Sequence, residues 1–82
     1  MNENEIAKII VDSAYKVHVA LGPGLLESVY QRALAYELQK RVLKIIVEHP
    51  ISVYYDGVAL GEGFRADIIV NDKIIIELKS VE

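Results

Sequence analysis

Four residues of this chain could do chemistry together: Glu27, Asp67, Glu77 and Lys79. Glu77 and Lys79 stand two apart in the run Ile74–Val81, which reads as a strand, so they share one face. Asp67 lies in the preceding strand-like run, Phe64–Val70, and register decides whether it joins them. A two-residue turn at Asn71-Asp72 would pair Val70 with Lys73 and place Asp67 across from Ile76. A three-residue or bulged turn over residues 71–73 pairs Val70 with Ile74 and sets Asp67 opposite Glu77. The second register is expected, because it brings together the apolar faces Ala66, Ile68, Val70 and Ile74, Ile76, Leu78.

Two carboxylates opposed on a sheet repel one another, so a positive charge is expected between them. Arg65 and Lys79 could supply it, and so could a divalent cation. Magnesium in particular takes one or two carboxylates and keeps several waters. Glu27 belongs to a second segment. It falls in line with Tyr30, Leu34 and Leu38 at helical spacing, on the inward side of its helix, where a lone charge is costly unless paired or ligating. The ordinary alternative is that Glu27 caps its own helix near Gly24 and complements the dipole. Tyr30 reads as a core tyrosine with its hydroxyl at the edge. His18 and His49 have no second histidine at ligand spacing and read as structural and exposed, respectively.

The elements that must position these groups are of α/β type. Ile6, Ile9, Ile10, Ala14, Val17 and Leu21 recur at helical spacing, giving a helix over residues 4–21. Asn2 and Glu5 have capping-box spacing, and Asp12 and Lys16 form an acid-to-base pair four apart. Val11, Tyr15 and His18 make a further stripe, so cover on two sides is expected. Gly22-Pro23-Gly24 ends this helix. A second helix is expected over Leu25–Arg41, burying Leu26, Val29, Tyr30, Ala33, Leu34 and Leu38. The rest reads as a mostly antiparallel sheet of four strands. Its runs are Val42–Glu48, Ile51–Tyr55, a return at Val58–Leu60 broken by Gly61 and Gly63, then Phe64–Val70 and Ile74–Val81. Asp56-Gly57 is a strong hairpin turn.

At 82 residues the chain is expected to be one domain over residues 1–82, with a thin core. Yet 52% of its residues are hydrophobic, so either almost every apolar side chain is buried or a partner covers some of them, a surplus that hints at a homo-oligomer. With no cysteine, disulfide scaffolds and thiolate metal sites or nucleophiles are excluded. No basic segment precedes an apolar run at the N-terminus, and no run reaches the roughly 20 apolar residues of a membrane span. A cytoplasmic location without membrane contact is therefore expected. Net charge is −3, a weak electrostatic footprint for binding nucleic acid.

Taken in order, the motifs resemble one known family. Gly24-Leu25-Leu26-Glu27-Ser28-Val29-Tyr30 fits the pattern that names the GxxExxY family of the PD-(D/E)XK nuclease superfamily. Val17-His18, Leu21-Gly22-Pro23-Gly24, Glu37-Leu38, Tyr55-Asp56-Gly57 and Phe64-Arg65-Ala66-Asp67 fit it as well. Ile76-Glu77-Leu78-Lys79 matches the superfamily's ExK element. The resemblance implies a restriction-endonuclease-like core that holds Mg2+, or Mn2+ in its place. It makes Asp67 and Glu77 metal ligands, Glu27 an auxiliary ligand and Lys79 the catalytic lysine that orients water. The family pattern runs on past ExK into another helix and further strands, which this chain lacks. The expectation is a chain truncated at its C-terminus, or a sheet completed by another subunit. Arg41 stands where the family commonly has glycine, so a different helix end is expected.

The function implied is Mg2+-dependent hydrolysis of nucleic-acid phosphodiesters, with DNA preferred over RNA as partner. For an acidic chain this requires oligomerisation to gather Arg65, Lys73 and Lys79 along one groove. The alternative is a catalytically inactive nuclease-fold module that binds or assembles as a homo-oligomer. A third reading, an α/β domain with no site, predicts Asp67 and Glu77 on opposite faces and would be favoured by a two-residue turn at Asn71-Asp72.

Overall fold

The computed structural model describes residues 1–79. Two helices, α1 (Glu3–Leu21) and α2 (Glu27–Lys40), precede an antiparallel sheet in the order β1 (Ile45–Tyr55), β2 (Val58–Val70), β3 (Ile74–Ile76). The start of α1 is closed by the expected capping box. Asn2 Oδ1 accepts from the Glu5 amide at 2.9 Å, and Glu5 Oε1 accepts from the Asn2 amide at 3.1 Å. Its end is set by Gly22 at φ +71, a left-handed value glycine adopts at low cost.

The end of α2 is a Schellman motif. Val42 N–H donates to the Gln39 carbonyl and Leu43 N–H to the Leu38 carbonyl, while Val42 takes the left-handed position at φ +64. A β-branched residue is strained there. Leu43 compensates by burying its side chain in the core beside Leu38. The helix end is thus built without glycine, as the presence of Arg41 led us to expect.

The core is one cluster of Ile6, Leu34, Ala35, Leu38, Leu43, Ile68 and Val70, flanked by Ile9, Ile10, Ile45, Ile74, Ile76 and Leu78. Helices therefore cover one face of the sheet. Four side chains expected to be covered are not. Leu26 is 75% exposed, Val29 is partly exposed, and the second stripe of α1, at Val11 and Tyr15, lies open. The helix begins two residues later than its apolar text suggests, which leaves Leu26 on the lead-in strand.

Among the described residues the sheet has three strands, not the four expected. Val42–Glu48 and Ile51–Tyr55 belong to one strand, because His49 and Pro50 stay in register with Ala66 and Arg65. Pro50 is tolerated because β1 is an edge strand. Gly61 and Gly63 do not end β2 either. The register shifts between Ile51 and Ser52 and between Ser52 and Tyr54, so the extra residues of β2 are absorbed as bulges. Gly61 lies at φ +91, and a Cβ on Gly63 would come 2.0 Å from Val53 Cγ2. Asp56 and Gly57, both at positive φ, form the two-residue hairpin turn as expected. Beyond Ile76 the expected strand to Val81 is not continued through residue 79, and residues 80–82 lie outside the described ones.

These long strands outrun the helices. β2 spans about 43 Å and β1 about 36 Å at a strand's rise, against about 21 Å for α2. The longest dimension of the molecule is 45 Å, and the hairpin's outer half has no helix above it.

Candidate functional site

The turn between β2 and β3 fixes the geometry. Asn71 and Asp72 both sit at positive φ, a conformation these two residue types tolerate better than most. Lys73 N–H donates to the Val70 carbonyl at 3.0 Å, and Asn71 is pinned through its amide and side chain to the backbone of Lys44. The loop has three residues, so Val70 pairs with Ile74, Ile69 with Ile75 and Ile68 with Ile76. This is the register that the apolar alternation requires, and it is not the two-residue turn that would favour a domain without a site. The pairing ends at Ile68 and Ile76, and beyond it Asp67 reaches the segment that carries Glu77 through Leu78.

Asp67 is half-buried, and its Oδ2 accepts the backbone N–H of Leu78 at 2.8 Å. The carboxylate is thereby oriented by the very segment that carries Glu77 and Lys79. One carboxylate oxygen is thus committed, and Glu77 and Lys79, on either side of Leu78, are exposed.

Glu27 is the first residue of α2 and is exposed, so it is not the inward-facing acid its spacing suggested. No side-chain hydrogen bond caps this helix at Leu26. The loop before it is held instead by Tyr30, whose hydroxyl donates to the Gly22 carbonyl at 2.5 Å and accepts from Leu25 N–H at 3.1 Å. That clasp sets the floor of a cavity of about 410 Å3 lined by His18, Pro23, Gly24, Glu27, Tyr30, Leu78 and Lys79. The structure thus brings Glu27 and Lys79 to one cavity and ties Asp67 to its Leu78 wall. His18, read from sequence as structural, is exposed and stands in the same wall. Its lone position in the text gave no signal, because Glu27 and Lys79 reach it only through the fold.

Among the described residues, no three histidine or acidic side chains come close enough to hold a metal ion among them. The donor chemistry nonetheless suits a hard divalent cation, which binds through one or two carboxylates and water. An anchored carboxylate such as Asp67 is also what metal sites use to orient a ligand. Lys73 does not approach this region. Its Nζ donates to the Met1 carbonyl at 2.9 Å, beside Asn2, Glu3 and Asn4.

A second ionic cluster joins the helices at another place. Glu37, nearly buried, accepts from Lys16 Nζ at 3.0 Å and Arg41 Nη2 at 3.3 Å, with Lys40 Nζ at 3.6 Å. Arg41 Nη1 donates to Asp12 Oδ2 at 2.6 Å. Asp12 and Lys16 therefore pair across to α2, not with each other. The hydrogen bond from Lys16 holds the Glu37 carboxyl below its ordinary range, against the opposing effect of desolvation. Asp12, hydrogen-bonded to Arg41, pushes that guanidinium up. The cluster locks α1 to α2.

Among the described residues, no helix is long and apolar enough to cross a membrane. No curated protein and no solved structure matches the chain. The family model of the PD-(D/E)XK nuclease superfamily matches residues 4–82. With nearly its whole length matched, the chain belongs to the PD-(D/E)XK nuclease superfamily.

Proposed function

We propose that this chain is a Mg2+-dependent nuclease of the GxxExxY branch that hydrolyses nucleic-acid phosphodiesters, DNA in preference to RNA, and that Mn2+ can replace Mg2+. One observation carries the reading. The three-residue loop and the Leu78–Asp67 hydrogen bond bring Asp67 against the Glu77–Lys79 segment, while Glu27 shares a cavity with Lys79. Asp67 and Glu77 would hold the cation, with Glu27 as auxiliary ligand. When bound, the cation supplies hydroxide near neutral pH and stabilises charge on the phosphoryl oxygens. Lys79 lines the cavity, and its ammonium would orient a water and attract a phosphate. Asp67, held through Oδ2 by Leu78 N–H, is positioned before a cation arrives, which spares a reorganisation cost.

The test is digestion of a plasmid and of a single-stranded oligonucleotide with Mg2+ or Mn2+, wild type against Lys79→Ala. Cleavage lost in the variant is the expected result. Equal nicking by both proteins overturns the assignment of Lys79.

A second reading is a nuclease-fold module without activity that works by assembly. The absence, among the described residues, of three acids within reach of one cation favours it, as does the net charge of −3. It predicts no Mn2+ uptake in calorimetry. Mn2+ binding that disappears in Asp67→Asn decides for the nuclease.

A further inference from the structure

The face of the sheet that the helices cover does not stop where the helices do. In β1 and β2, Val47, His49 and Ile51 stand opposite Ile68, Ala66 and Phe64, and Ala66 and Ile68 are fully buried beneath the helix layer. Ile51 and Phe64 continue that face outward. Alternation along β1 adds Val53 and Tyr55, and Tyr55 pairs with Val58. The close approach of Val53 to Gly63 places these residues on one continuous surface. Yet Tyr55 is 61% exposed, Val58 is 59% exposed and Phe64 is half exposed. From Ile51 outward the face is apolar, and among the described residues nothing lies over it.

The size of the deficit identifies what would cover it. A folded chain of 9.2 kDa is expected to expose about 4,900 Å2, and this one exposes 6058 Å2, roughly 1,100 Å2 more. Its radius of gyration is 14.3 Å, where a compact domain of this length has about 11.7 Å. A stable dimer of standard size buries about 800 Å2 on each partner. The surplus therefore matches one protein interface.

The chemistry of the patch points to its own copy. Residues 51–64 contain no base, and Asp56 and Glu62 are the only charges. Such a surface selects no charged partner, and an identical face related by a two-fold axis satisfies it. The exposed stripe of α1 is a weaker candidate, because Lys8 and Asp12 interrupt it and Asp12 is engaged by Arg41.

We infer that the outer half of the β1–β2 hairpin, through Ile51, Val53, Tyr55, Val58 and Phe64, is a homodimer interface in which two copies pack these faces together. The inference deepens the expectation of a homo-oligomer and is independent of catalysis. Sedimentation velocity on the full chain is expected to give twice 9.2 kDa. Tyr55→Lys and Val58→Lys, at exposed positions, each weaken the dimer at least about 30-fold, as loss of one central interface contact does. Both retain the wild-type far-ultraviolet circular dichroism of a folded monomer. Val11→Lys, on the α1 stripe, leaves the dimer intact. A wild-type mass of 9.2 kDa at every concentration overturns the inference. So do dimeric lysine variants, or dissociation by Val11→Lys. A monomer that still binds Mn2+ leaves the nuclease reading standing, and a dimer that binds none leaves the interface standing.

Discussion

Asp67 has two jobs in this structure, and two substitutions separate them. Its Oδ2 accepts Leu78 N–H at 2.8 Å, which fastens the chain after β3 to β2. Its charge is what would bind a cation. Asp67→Ala removes both. A hydrogen bond to a charged acceptor contributes about 1.5–3 kcal/mol, and at a half-buried position water replaces part of it, leaving about 1 kcal/mol lost. Asp67→Asn keeps an acceptor for Leu78 and removes the charge. In metal-free buffer, then, Asp67→Asn melts close to wild type, and Asp67→Ala melts lower by about 4–8 °C, the shift that 1 kcal/mol gives in a domain of this size.

Adding Mn2+ reverses the similarity. A ligand at 100 times its Kd stabilises the native state by about 2.7 kcal/mol, which raises the wild-type Tm by roughly 10–20 °C. Neither Asp67 variant gains this shift. The assay is thermal unfolding by circular dichroism at fixed protein concentration, with and without Mn2+. If Asp67→Asn gains as much from Mn2+ as wild type, its carboxylate is not a ligand. If Asp67→Asn falls as far as Asp67→Ala without metal, the Leu78 hydrogen bond is not what holds the segment.

Two further outcomes test the scaffold. Gly63→Ala places a Cβ 2.0 Å from Val53 Cγ2, an overpacking that costs about 1–3 kcal/mol because a β-branched side chain has few rotamers to escape into. The cost disappears in a Val53→Ala background, and a double-mutant cycle in urea that shows simple additivity refutes the contact. Glu37 gives an acid dependence: its folded-state carboxyl lies below its ordinary value of 4.5, so its contribution is present above that pH and is lost as pH falls through the folded value. Urea midpoints measured from pH 7 downward therefore drop more steeply below pH 4.5 for wild type than for Glu37→Gln, and parallel curves refute the Lys16–Glu37–Arg41 coupling.

Much of the site's frame could be read from the sequence because its determinants are local. The capping box at Asn2 and Glu5, the hairpin at Asp56-Gly57 and the three-residue loop after Val70 each follow from residues within a few positions of one another. The β2–β3 register was legible for a different reason: shifting it by one would have turned the buried face of the strand outward. The cluster at Glu37 was not legible, since its partners lie 21 residues away at Lys16 and its neighbour Arg41 reaches 29 residues back to Asp12. Nor was Glu27's exposure, because helical spacing assigns a face only once the helix start is known, and α2 starts at Glu27 itself.

The uncovered hairpin shows where periodicity reaches its limit. Alternation correctly marks Ile51, Val53 and Tyr55 as wanting cover, yet it does not say what covers them. Length does. Cut at His49-Pro50, as the sequence reads, each strand would fit beneath a 14-residue helix and no apolar face would be left over. Joined through Pro50 on the sheet edge, and through bulges at Gly61 and Gly63, β1 and β2 run well past the helices. The residues that looked like strand breaks are those that let the strands continue. Their continuation puts an apolar face outside the chain's own helix layer, where a second copy can meet it.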